Sequence, residues 1–232
     1  MSAITSRLSA EALGTLVLVY FGCAAIVSGA GLLGFSIAFA LALAAAIWVF
    51  GATSGGHFNP WVTLATALRG QLSWVEAAEY AIAQLIGATV ASLLLWATYG
   101  TAGINGLLGA TRLGAAADSG VGLLSGLVAE ALGTFVFICV IISLTTGARA
   151  GNRTTGLGIG LTLGLANISL AMITGASLNF ARTFAPEFVL TIRGGGVADW
   201  SHIWVYLLGP AIGAAAAAFA YDRVTMAPAA KP

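Results

Sequence analysis

Residues 54–65 read SGGHFNPWVTLA, and residues 174–185 read TGASLNFARTFA. Each stretch passes from a hydroxyl residue through glycine to an asparagine. Each then enters a short apolar piece, 60–69 after Asn59 and 180–192 after Asn179. A helix needs about 20 apolar residues to cross a bilayer core about 30 Å thick. Both pieces are too short for that, so each reads as a half-helix that dips into the membrane and returns. Asparagine is a favoured N-cap, and proline suits the first helical position because its missing N–H would be unpaired there anyway. Asn59-Pro60 follows that grammar, so the short helices are expected to start at the two asparagines.

Six longer apolar runs surround these pieces, at about 9–28, 33–52, 76–99, 121–146, 156–173 and 201–221. The 232-residue chain is 59% hydrophobic and 7% charged, where a soluble domain carries about 25% charged residues. So few charges cannot clothe a surface in water, and the lipid bilayer is the outer solvent. The 9 Lys+Arg and 8 Asp+Glu nearly cancel and form no basic run, which excludes nucleic acid as a partner. Cys23 and Cys139 lie inside apolar runs and read as packing residues rather than a disulfide. Arg7 before an apolar run resembles a signal peptide, but the same segment recurs later in the chain, so it reads as the first span.

That recurrence sets the architecture. AEALGT stands at 10–15 and again at 129–134. The two asparagine stretches repeat at nearly the same separation, and YAIAQLIGA (80–88) weakly matches YLLGPAIGA (206–214). Each copy, about 8–100 and about 121–222, holds three spans and one short piece. Three is odd, so the second copy enters from the opposite face. The expected fold is an all-α membrane protein: one transmembrane domain over 1–232, with six transmembrane helices and two re-entrant half-helices in an inverted three-span repeat. Both termini share one side, with Arg7, Arg69, Arg149, Arg153, Arg223 and Lys231. The other side has Arg112 and Arg193, plus Arg182 if it lies outside the membrane. Basic residues favour the cytoplasm, so both termini are expected there, in a plasma (inner) membrane.

By the inversion, the half-helix N-termini meet near the midplane and place partial positive charge there. The amides of Asn59 and Asn179 add donors. Such a point repels cations and hydronium, while water can both donate and accept. Irregular backbone at this depth is tolerated only where it is buried in protein or lines a wet cavity. Gly55, Gly56, His57 and Phe58, and Gly175 and Ser177, are therefore expected to offer carbonyls to a pore. Glu11 and Glu130 are the acids well inside spans, and a membrane carboxylate is a functional candidate by default. Gly156, Gly160 and Gly164, with the repeat-related Gly87 and Gly213, are expected to mark close helix crossings. His57 and His202 fall in loops on opposite sides, so no metal site is expected. No cofactor site and no nucleophile–base pair appears, which argues against an enzyme.

On these residues the chain resembles the aquaporin (major intrinsic protein) family over nearly its whole length, and is closer to water-channel members than to glycerol facilitators. The family box is Asn-Pro-Ala in both halves. Here it is Asn59-Pro60-Trp61 and Asn179-Phe180-Ala181. The caps are kept, while Trp61 and Phe180 change the packing and could narrow the midplane. The resemblance implies that Glu11 and Glu130 brace the re-entrant loops. It also implies a constriction of Phe39, Asn167, Ala176 and Arg182, with Asn167 where water-selective members typically carry His. Thr183 stands where glycerol facilitators usually have Asp. A homotetramer is implied in the same way. The expected function is passive passage of water and small neutral solutes, with protons and ions excluded. A wider facilitator for glycerol, ammonia, urea or metalloids, an ion-coupled carrier, and a pore closed by Trp61 remain alternatives.

Overall fold

The computed structural model describes residues 3–114, 122–146 and 152–225. Arg149 and Lys231 lie outside these residues. Among them the chain forms α1 (Ala3–Val27), α2 (Gly31–Ser54), α3 (Pro60–Leu68), α4 (Trp74–Asn105), α5 (Leu123–Thr145), α6 (Thr155–Thr174), α7 (Phe180–Arg193) and α8 (Ile203–Thr225), with a 3₁₀ turn at Leu107–Gly109. Six of these, all but α3 and α7, are long and apolar enough to span a bilayer. They are apolar on nearly every side, as lipid-embedded helices are. Leu33, Val49, Leu124 and Met172 stand exposed on the outside. The chain is therefore an integral membrane protein.

α3 and α7 are the half-helices. α1 starts earlier than its apolar run, and its Arg7 pairs with Glu76 at 2.6 Å. α4 continues past the expected stop at Gly100, where the backbone turns left-handed (φ 54°) before the helix resumes to Asn105. Ser73 and Glu76 close a capping box that fixes the start of α4.

The packing repeats with the sequence. α1 lies on α2 and α4, α5 lies on α6 and α8, and α2 meets α6. The half-helices cross over between repeats: α3 packs on α8, and α7 on α4. The crossings between spans need glycine. A Cβ at Gly87 would lie 2.0 Å from the Ala12 carbonyl oxygen, and one at Gly213 would lie 2.1 Å from that of Ala131. On α6, a Cβ at Gly160 would sit 2.2 Å from the Ala40 carbonyl oxygen of α2. The glycine stripe is thus spent within one chain, on the contact between the two repeats.

Candidate functional site

Each half-helix begins at its asparagine. Asn59 Oδ1 accepts from Trp61 N at 2.9 Å, and Asn179 Oδ1 accepts from Ala181 N at 3.0 Å and Arg182 N at 3.3 Å. The side-chain nitrogens then reach across the pseudo-two-fold. Asn59 Nδ2 donates to the Leu178 carbonyl at 2.7 Å, and Asn179 Nδ2 donates to the Phe58 carbonyl at 2.8 Å. The two helix starts therefore meet in the interior and clasp each other. An amide nitrogen carries two hydrogens, so each asparagine keeps one N–H beyond its cross-bond.

The loops before the caps are turned by left-handed backbone at matching positions: Gly55, Gly56 and Phe58 in one, Gly175, Ala176 and Leu178 in the other. For a residue with a Cβ this conformation costs about 1–2 kcal/mol. Buried carboxylates offset that cost. Glu11 accepts from Ser54 Oγ (2.6 Å), His57 N (3.0 Å), Phe58 N (2.7 Å) and Gln84 Nε2 (2.8 Å). Glu130 accepts from Thr174 Oγ1 (2.6 Å), Ser177 N (2.8 Å) and Leu178 N (2.8 Å). Tyr80 and Tyr206 complete the symmetry by donating to the carbonyls of Ser54 and Thr174, both at 2.8 Å. Among the described residues, the carbonyls of Gly55, Gly56, His57, Gly175, Ala176 and Ser177 take no hydrogen bond from the protein.

Between these loops and the spans runs a narrow cavity of about 20 Å³. The spans give it an apolar lining of Leu18, Leu43, Phe137 and Leu163, and the re-entrant loops a polar one of His57, Asn59, Ser177 and Asn179. Phe39, Asn167, Ala176 and Arg182 also line it, and all four are buried. Phe39 lies against Gly22, where a Cβ would come 2.2 Å from its ring. The Arg182 guanidinium stands 5.1 Å from the Phe39 ring centroid. Its Nη1 donates to the Gly109 carbonyl at 2.7 Å, while its Nε has no partner. Asn167 Nδ2 donates to Leu163 O at 3.0 Å, and its Oδ1 is left without a partner.

Trp61 and Phe180 are brought together but do not line this cavity. Their rings meet edge-on, 6.2 Å apart, and Phe180 continues into a file with Phe184 and Phe188 along α7. Pro60 and Ala181 sit in the first turns behind the caps. The apolar wall, Gln84 and the Gly109 carbonyl were not singled out from sequence. Tyr80 and Tyr206 could have been, since they open the third repeat match.

Outside the spans, the Ser201 hydroxyl and amide hold Asp199 below the usual carboxylate range. Burial pushes Arg112 down, opposed by the nearby Asp199 charge.

Comparison with known proteins agrees with this fold. Residues 2–221 match the family described as "Major intrinsic protein". The chain is 41% identical to the "Glycerol uptake facilitator protein-like 6" of Lactiplantibacillus plantarum, covering 90% of this chain and 94% of that one. It is 38% identical to the "Probable aquaporin AqpM" of Archaeoglobus fulgidus, covering 94% and 96%. The fold matches the X-ray structure of an aquaglyceroporin from Plasmodium falciparum with a TM-score of 0.86 at 22% identity, covering 95% and 96%. With so nearly complete a match and relatives this similar, the chain belongs to the major intrinsic protein family, whose members are passive membrane channels and not enzymes.

Proposed function

We propose that the protein is a water channel that also admits small neutral solutes slowly and rejects protons and ions. The observation that carries this is the clasped pair of asparagines lining a narrow, two-faced cavity. The spare N–H groups of Asn59 and Asn179 and the two helix N-termini all present positive potential at one point. A water there turns its oxygen to the amides, which breaks the donor–acceptor order that a proton would follow along a file. The unpaired carbonyls of Gly55, Gly56, His57, Gly175 and Ser177 give passing water acceptors on one side, while the apolar wall gives it nothing to hold on the other.

At the constriction, the Arg182 charge excludes cations, and Phe39 fills the space a carbon backbone would need. Glu11 and Glu130 act as braces: their oxygens are engaged by the loops, which favours passive conduction over ion coupling. Trp61 and Phe180 pack behind the half-helices, which favours an open path over one closed by the indole. Both termini are read as cytoplasmic, which the basic residues on their side favour, and the membrane as the plasma (inner) membrane. The homotetramer rests on resemblance to the family.

Stopped-flow shrinkage of vesicles carrying the full chain tests the reading. Water flow no faster than through bare lipid sinks it. Arg182→Ala is expected to raise the ratio of glycerol to water permeability about tenfold, the scale of losing a hydrogen-bonding charge. A second reading, a wider facilitator for glycerol, ammonia, urea or metalloids, draws on the unpartnered Asn167 Oδ1 beside the small Ala176. Solute uptake outrunning water flow would select it.

A further inference from the structure

Arg182 leaves α7 with nothing on its own helix to aim it. Its direction is set by the Gly109 carbonyl, at the end of the 3₁₀ turn. Gly109 is itself lodged against α1, where an added Cβ would lie 2.7 Å from Cys23 Cβ. The segment that follows, 110–114, has no regular structure to stiffen it, and so needs other anchors.

Those anchors converge on a cluster behind the pore wall. Arg112 forms an ion pair with Glu187 of α7, and its Nη2 lies 3.2 Å from the second carboxylate oxygen. Arg112 Nη1 also donates to the Thr111 carbonyl at 3.0 Å, and Nη2 to the Val197 carbonyl at 3.4 Å. Thr111 and Thr183 share a hydroxyl hydrogen bond at 2.9 Å, and Gly114 N donates to Ile173 O at 2.8 Å. Glu187 is buried at 1% exposure and accepts from Asp199 N at 2.8 Å. A carboxylate buried this deeply holds its arginine, because breaking the pair leaves an uncompensated buried charge. The planar guanidinium fork adds direction to the charge.

We propose that the Arg112–Glu187 pair is a positioning unit: it fixes the 109–114 segment on α7 and, through the Gly109 carbonyl, sets the direction of the Arg182 guanidinium in the constriction. The pair never touches the solute. It sharpens the constriction by denying Arg182 other rotamers. This deepens the function proposed above and rests on it.

The test uses the full chain in vesicles and two readouts: hydrogen exchange of the amides in 109–114, and the ratio of glycerol to water permeability. Glu187→Gln is expected to speed exchange in that segment and to raise the ratio about five-fold, the scale of one lost hydrogen bond. Glu187→Asp keeps a carboxylate for Arg112 and for Asp199 N, and is expected to leave both readouts nearer wild type than Glu187→Gln does, which a merely structural defect would not do. Should Glu187→Gln fail to fold, Arg112→Lys keeps the charge without the fork and is expected to move both readouts the same way by less. Wild-type exchange and ratio in Glu187→Gln or Arg112→Lys overturn the proposal, as does a Glu187→Asp protein no nearer wild type than Glu187→Gln. If wild-type vesicles pass no water, the channel reading fails, and the exchange measurement by itself decides whether the pair holds the segment.

Discussion

Glu130→Ala is expected to lower the melting temperature of the detergent-solubilised protein by on the order of 10 °C. The change strips the acceptor from Thr174 Oγ1, Ser177 N and Leu178 N at once. All three donors are in buried residues. A buried donor left unmade costs about 1–3 kcal/mol, and the loop also holds Ala176 and Leu178 in left-handed backbone. Without the brace, that strain favours opening. Glu11→Ala is expected to behave alike, for the same reason in the other repeat. Glu130→Gln keeps one acceptor and should fall between. The control is Leu132→Ala, at an exposed position two residues along the same helix. A Glu130→Ala protein melting within about 2 °C of wild type would refute the bracing role.

Gly87→Ala is expected to abolish the folded protein, and Gly213→Ala to do the same. The added Cβ would lie 2.0 Å from the Ala12 carbonyl oxygen in the first case and 2.1 Å from that of Ala131 in the second. Both obstacles are backbone, so relief requires two helices to part by more than an ångström. Parting them opens α1 from α4, or α5 from α8, and loosens the cradle in which a half-helix sits. The measurement is recovery of monodisperse protein by size-exclusion chromatography. Gly158→Ala is the matched control: its nearest obstacle is the far end of Leu144, 2.8 Å away, which can rotate aside. That variant should be recovered normally, with a gain of up to about 1 kcal/mol from helix propensity. Normal recovery of Gly87→Ala would show the α1–α4 crossing to be softer than its geometry implies.

Much of the site was readable from the chain because the repeat multiplies weak signals. One asparagine before an apolar piece is an ordinary cap. Two of them, each following a hydroxyl residue and a glycine and each matched by a glutamate in AEALGT, constrain one another. What stayed hidden depends on contacts between residues far apart in sequence. Gln84 sits in a span with nothing local to mark its amide, yet it reaches both Glu11 Oε2 (2.8 Å) and Thr63 Oγ1 (3.0 Å). The Gly109 carbonyl belongs to a segment with no repeat partner, so symmetry could not find it. Trp61 looked able to narrow the pore from sequence, because the identity of a side chain does not say which face of a short helix it occupies.

The sequence alone determined the spans, the half-helices, the inversion and the meeting of Asn59 with Asn179. Hydropathy, capping chemistry and an odd number of crossings are local or countable properties. Only the tertiary structure decided where Trp61 and Phe180 go, which carbonyls are taken by the clasp, and what aims Arg182. Those outcomes are set by packing between segments from both repeats, where a few tenths of an ångström around Gly160 govern how closely the halves approach. No pattern along the chain encodes that distance.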